Sequence, residues 1–475
     1  MVFSSLIFLY GFLPLCLILY FAFRGIRARN IILIIMSLLF YAWGEPVYVF
    51  LLIGSACVNY GMGRLIAGRK KRGQAGVALF AAVAVNLGVL IFFKYTGFLV
   101  ENINALTGLC IPVPDVTLPI GISFYTFQEI SYVVDVYRER TEAQRSFPEF
   151  LLFTSLFPQL IAGPIVRYSD VAAQIQDRKT TAQGVFYGVT RFCTGLGKKV
   201  LLADYAGTVA ESLLGGTLAL TSAGDLWLGI IMFSFQLYFD FSGYSDMAIG
   251  LGHIFGFRYK ENFNLPYCSR SVSEFWRRWH ISLGNFFRDY VYIPLGGNRR
   301  HQILNLLVVW LLTGLWHGAG WNFVLWGLYL FVIIALEKLC DPVLKHIPSP
   351  IRWLVTLVLI EFSWILFYFT DTTRLLEAVQ AALGLNGQGF LSARTVLILQ
   401  NNLFLILTCI LGNTILPRFL GVQLQVVASM PGKAALRARE NIYSVLVFLF
   451  CAALLILCTI AMVGDSYSPF LYFRY

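Results

Sequence analysis

Charge is what this chain has least of. Asp, Glu, Lys and Arg make up 13% of its 475 residues against 58% apolar ones, a balance that excludes a string of soluble domains although the length alone would suit several. Acids are scarcer than bases, 25 against 36, which leaves a net charge of +11. Such an excess can serve nucleic acid. Here the basic residues fall in short segments between apolar runs, the distribution that membrane insertion imposes on cytoplasmic loops, so no nucleic-acid partner is expected. Cysteine is sparse and unpatterned: nine residues at positions 16, 57, 110, 193, 268, 340, 409, 451 and 458, without a C-x-x-C pair, signal neither a disulfide framework nor a thiolate metal site. No repeat, low-complexity tract or soluble segment divides the chain, so residues 1–475 read as one membrane-embedded domain.

What the chain does have is hydrocarbon, with a mean hydropathy of +0.71. Apolar stretches recur at residues 2–23, 31–62 (broken by Gly44-Glu45-Pro46), 75–100, 116–136, 147–166, 183–202, 225–256, 303–312, 319–339, 350–370, 397–417 and 442–463. They predict an all-α polytopic membrane protein of about ten to twelve spans, with re-entrant or interfacial helices among them. The first stretch, VFSSLIFLYGFLPLCLILYFAF, has no basic residue before its core and no small-residue cleavage site after it, and reads as a span rather than a leader. Arg24, Arg27 and Arg29, then Arg64, Arg69, Lys70, Lys71 and Arg72, then Arg138, Arg140 and Arg145, and finally Arg418, Lys433, Arg437 and Arg439 are expected in the cytoplasm. The N-terminus, the loop 101–115 and the tail 464–475 are then expected outside, with membrane lipid around the spans between.

Two segments concentrate polar chemistry. EFWRRWHISLGNFFRDY, residues 274–290, follows Ser271, which stands at capping-box spacing from Glu274, so a helix should begin there. On it Trp276 and His280 would share a face, and Arg277, Arg278 and Arg288 would meet either lipid phosphates or a phosphorylated substrate. The second is TGLWHGAGWNF, residues 313–323, where His317 lies deep in apolar sequence beside Gly314, Gly318 and Gly320. An ionisable group at that depth needs a partner or a wet cavity, and an imidazole there suits a general base for a hydroxyl acceptor; a structural, hydrogen-bonded histidine is the plainer alternative. Asp135, Asp240 and Asp246 are also buried by position. All three need partners, which Arg277, Arg278 and Arg288 could supply; Asp240 and Asp246 would pin helices together or form a proton relay.

FWRRWHISLGNFFRDYVYIPLGGNRR and LTGLWHGAGWNFVLWGLY, together with LPIGISFYTFQEISYVVDVYR, FPQLIAGPIVRY and LYFDFSGYSDMAIGLGHIFGFRYKENFNLPY, resemble the membrane-bound O-acyltransferases. Within that family they are most similar to the bacterial branch that O-acylates exported polysaccharides such as alginate, over about residues 40–340. The resemblance implies helices around a thin central funnel, with a cytoplasmic opening for an acyl thioester and an outer one for the acceptor. It implies that His317 is the essential residue, that His280 lies on the cytoplasmic half, and that Arg277, Arg278, Asn285, Arg288 and Trp316 bind substrate. Acetyl-CoA is the implied donor substrate, with no tightly bound cofactor and no metal. An extracytoplasmic acetyl-transfer partner protein, a polysaccharide acceptor and the bacterial inner membrane complete the expectation.

The tail SPFLYFRY resembles an aromatic C-terminal motif of some bacterial relatives, with Tyr472 at the position of a tyrosine that carries the acyl group. An interfacial aromatic anchor is the other reading of the same residues. As a carrier, Tyr472 would need His317 to activate its hydroxyl. A transporter using Asp135, Asp240, Asp246 and His317 as an intramembrane path is the alternative function, weakened because neither the W-H-G nor the D-F-S-G-Y segment has a second copy. An inactive scaffold for an export complex is the third.

Overall fold

The computed structural model describes residues 2–70, 73–161, 163–414, 433–464 and 470–471, by backbone alone at 433–441. Lys71, Arg72 and Arg418 therefore lie outside the described residues. Among those described every regular element is a helix, as a bilayer demands of a chain whose backbone polar groups must pair internally. Seven helices are long and apolar enough to span: Ile26–Gly44, Tyr48–Lys70, Ala75–Thr107, Ala223–Phe255, Trp321–Leu344, Ser349–Tyr368 and Ile442–Gly464. The pair Ala393–Asn401 and Leu403–Gly412, bent by 66°, makes an eighth if it is one span, so the described residues hold seven or eight against the ten to twelve expected; Phe8–Ala22 and Gln302–His317 are apolar but shorter. The chain is a multi-pass membrane protein.

One helix is the axis. Ala223–Phe255 has 72% of its apolar window buried, whereas no other spanning helix exceeds 33%. Ser222 caps its start by accepting from the Asp225 N–H at 3.2 Å. Ala182–Gly197 lies against this axis through two pairs of glycines seven residues apart. A Cβ on Gly188 would stand 2.5 Å from the Gly250 carbonyl oxygen, and one on Gly195 would stand 2.5 Å from that of Gly243, so the backbones meet without side chains between them.

At the end of that contact the Ala182–Gly197 helix widens into the π-helical turn Lys198–Ala203. The turn carries two lysines into the interior. Lys198 reaches Asp246 at 2.7 Å and Lys199 reaches Asp240 at 2.7 Å. The partners of the buried acids are therefore not Arg277, Arg278 and Arg288, as the sequence suggested, but neighbours on the helix packed alongside. Arg191 also pairs with Asp246 at 2.6 Å, and Asp135 accepts from the Tyr290 hydroxyl at 2.9 Å.

Two apolar runs are not simple spans. In 147–166 the helix Phe147–Ser155 stops at Leu156, and Phe157–Leu160 starts afresh with its N–H given to the Ser37 hydroxyl at 3.1 Å; Pro158 in its first turn lacks the donor that continuity would use. Ile122–Tyr137 is buried on nearly every face and serves as a core helix. Contacts of Lys70 with Glu139 (3.1 Å), Arg138 with the Asp289 carbonyl (2.9 Å) and Arg167 with the Asp289 carboxylate (2.8 Å) gather the basic loops onto one face of the bundle.

Candidate active site

The helix begun at Ser271 is shorter than the sequence suggested. Ser271 accepts from the Glu274 N–H at 3.0 Å, but the Glu274 carboxylate turns back to the Arg270 N–H at 2.9 Å, completing the cap one residue earlier than a capping box would. Val272–Arg278 then ends, Trp279 is extended, His280 takes a left-handed conformation (φ +44°, ψ +53°), and a second helix runs over Ile281–Phe287. Trp276 and His280 thus do not share a helix face. The break is held by Asn262, whose carbonyl oxygen accepts from the Ile281 N–H at 3.0 Å. Its side-chain oxygen accepts from the Ser282 N–H at 3.1 Å and the Ser282 hydroxyl at 2.9 Å, and lies 3.3 Å from His280 Nδ1. These bonds offset the left-handed backbone, which costs a side-chain-bearing residue about 1–2 kcal/mol. His280 is buried in the interior rather than lying along the membrane surface.

His317 is the last residue of Gln302–His317. Gly318 leaves in an extended conformation and Trp321–Leu344 returns against the first helix. The glycines serve this hairpin. A Cβ on Gly314 would collide with the Phe323 carbonyl, one on Gly327 with the Trp310 carbonyl and one on Gly318 with the Phe323 ring, so the helices cross with backbones touching. The His317 imidazole stands edge-on to Trp316 at 4.9 Å, Trp326 at 5.1 Å and Phe367 at 5.3 Å. Trp316 packs against both histidines, with 5.8 Å between its centroid and that of His280.

A cavity of about 530 Å³ joins these parts. His317, His280 and Thr313 line its buried end, and Arg277, Arg288 and Lys338, all exposed, line its mouth. Asn285 lies along it, and Arg278 does not line it: its guanidinium is held by Glu274 at 2.6 Å on the same short helix. Trp316 packs behind the wall. At the mouth Arg288 meets Asp289 at 2.7 Å, and Arg167 binds the other oxygen at 2.8 Å. Burial pushes the Asp289 carboxyl up, but these two guanidinium groups more than offset it and hold the group below its ordinary value.

His317 also borders a much smaller space of about 30 Å³, shared with Asp240, Trp276, Trp279, Trp364 and the tail residues Phe470 and Leu471. The tail is not loose at this point. The Leu471 N–H donates to Asp240 Oδ2 at 2.8 Å, while Phe470 packs on Tyr244 at 5.0 Å and Phe241 at 6.2 Å. Asp240 thus holds both Lys199 and the tail, and Asp246 is paired with Lys198 and Arg191. Tyr472 itself lies outside the described residues.

Four residues of this region escaped the sequence reading: Lys94, Asn262, Lys199 and Lys338. Lys94 and Lys199 stand alone or nearly so in apolar runs, the same signal that exposed His317. Nothing in the local pattern marks Asn262 or Lys338.

Two histidines stand together at the buried end of a basic-mouthed cavity among membrane helices, and the chain that places them there belongs to the membrane-bound O-acyltransferase family, whose model matches residues 137–378. It is an O-acyltransferase. It is 45% identical over 382 residues to the probable alginate O-acetylase AlgI of Pseudomonas syringae pv. tomato, covering 77% of this chain and 72% of that one. To the peptidoglycan O-acetyltransferase of Helicobacter pylori it is 33% identical over 425 residues, 82% and 80% of the two chains. The teichoic acid D-alanyltransferase of Bacillus subtilis is 29% identical over 267 residues, 53% of this chain and 67% of that one.

Proposed function

We propose that this enzyme takes an acetyl group from acetyl-CoA on the cytoplasmic side of a bacterial inner membrane and passes it outward for O-acetylation of an exported polysaccharide. The observation that carries the reading is His317, which lines both the wide cavity from the basic mouth and the small space occupied by the tail. In this reading the basic face is cytoplasmic, as the lysines and arginines of its loops favour, and the N-terminus and tail lie outside. Arg277, Arg288 and Lys338 meet the phosphates of the donor at the mouth, where guanidinium groups offer forked donors and the ammonium a point charge. The pantetheine arm fills the cavity and Asn285 lies along it.

The hydroxyl of Tyr472 attacks the thioester carbonyl as His317 takes its proton. The C–S bond breaks, the thiolate leaves, and the imidazolium returns the proton to the sulfur. The acetyl-tyrosine then gives its acyl group to an extracytoplasmic partner protein and so to a sugar hydroxyl. The position of Phe470 and Leu471 beside His317 supports this route, because it brings the chain to the small space one residue before Tyr472. The reading needs no resident cofactor or metal. Alginate is the favoured acceptor, since the relatives at 45% identity are probable alginate O-acetylases, with peptidoglycan second.

Purified protein in liposomes, given acetyl-labelled acetyl-CoA, tests it. Wild type should release CoA and carry label on the peptide containing Tyr472. His317→Ala should lower the rate by about 10²–10⁴-fold, the usual worth of a general base, and Tyr472→Phe should keep the fold and lose the label. Normal polysaccharide acetylation by Tyr472→Phe would remove the carrier step. Absence of thioester consumption in wild type supplied with membrane extract would remove the donor assignment.

A further inference from the structure

The Ala75–Thr107 helix carries a lysine into apolar surroundings, and that lysine touches the end of the helix that presents His317. Lys94 is buried, and its ammonium donates to the Trp316 carbonyl at 2.5 Å and to the His317 carbonyl at 3.2 Å. The next residue, Tyr95, donates its hydroxyl to the Leu315 carbonyl at 2.5 Å. The last carbonyls of a helix have no partner within it, and here three in succession find donors on a single turn of a neighbouring helix. The intrahelical bond nearest this end, from the Gly318 N–H to the Gly314 carbonyl, is long at 3.4 Å.

A neutral donor would satisfy the same carbonyls at a smaller desolvation penalty, as Tyr95 does for Leu315. Among the described residues no carboxylate lies within ion-pair distance of Lys94, so the carbonyl end of the Gln302–His317 helix is what its amino group faces. Its Nζ also lies 6.0 Å from the centre of the Trp316 ring, and Trp316 packs against both His317 and His280. We propose that Lys94 is a positioning residue for acyl transfer: it fixes the backbone of Trp316 and His317, and with it the direction of the His317 ring between the wide cavity and the small space. Tyr95 assists. The proposal rests on His317 being the base, and its effect is expected on turnover rather than on donor binding at the distant mouth.

The test uses full-length protein with Lys94→Met, Lys94→Arg and Tyr95→Phe, and reads hydrogen–deuterium exchange of the segment 313–323 beside kcat and KM for acetyl-CoA. Lys94→Met should speed exchange in that segment and lower kcat about tenfold or more, with KM unchanged within about twofold, and Lys94→Arg should recover much of both. Tyr95→Phe should lie between wild type and Lys94→Met. Unchanged exchange and unchanged kcat in Lys94→Met would overturn the proposal, and so would a Lys94→Arg protein, folded by its melting curve, that recovers neither. Should Lys94→Met fail to fold, Lys94→Gln takes its place under the same two criteria. Wild type that consumes no acetyl-CoA would refute the donor chemistry, while the exchange measurement would still decide on Lys94.

Discussion

Single side chains at the turning points of this chain decide where the cavity's two histidines stand, and Asn262 is the clearest case. Its amide oxygen serves Ser282 twice and lies against His280, so Asn262→Ala should leave the Ser282 groups without their buried acceptor. A loss of about 1–3 kcal/mol follows for an unsatisfied buried group, with a lower melting temperature and impaired turnover in the same variant. A wild-type melting curve for Asn262→Ala would show the clamp to be dispensable. His317 was legible in the sequence because an imidazole deep in hydrocarbon is conspicuous, and Lys94 obeyed the same rule without being read. The placement of His280 was not legible. Helical periodicity carried Trp276 and His280 onto one face, and nothing in the residue types announced that the backbone would turn left-handed at His280.

For helices, the decisive feature is how closely they approach. The contact of Ala182–Gly197 with Ala223–Phe255 is made of glycine against glycine, and that contact carries Lys198 and Lys199 to their acids. Gly195→Ala would place a methyl 2.5 Å from the Gly243 carbonyl and should destabilise the protein by about 1–3 kcal/mol, the range of overpacked sites. Gly61→Ala, on the Tyr48–Lys70 helix where nothing lies within 4 Å, should be neutral or stabilising by up to about 1 kcal/mol. Thermal unfolding of the two variants side by side checks both, and equal melting temperatures would refute the close-contact account. Most spans were visible as apolar runs because lipid leaves a helix little choice. The break at Leu156 was not, since it depends on a hydroxyl from Ser37, far away in sequence.

Across the whole molecule, the axis Ala223–Phe255 is walled by other helices, and the wide cavity and the tail both come to His317. Fold class and family were legible together, because the segments around His280 and His317 are distinctive in residue type and spacing. The two spaces that meet at His317 were not, because they are lined by residues from helices far apart in the chain.

The narrowness of the space beside His317 bears on the electrical life of the membrane. The space between His317 and the tail measures about 30 Å³, room for roughly two water molecules, and Trp276, Trp279, Trp326, Trp364 and Phe367 enclose it. A path of that kind can hand over a small group yet holds no continuous file of water along which protons would run down the cell's gradient. Vesicles containing the wild type should keep an imposed pH difference as well as protein-free vesicles, and Trp364→Ala should dissipate it about tenfold faster by opening a side-chain-sized void. A wild type that leaks would show that the aromatic box is no seal. If it is one, these tryptophans serve as the insulation of the membrane around His317, and the proposed hand-over of an acyl group would proceed without an electrical short circuit.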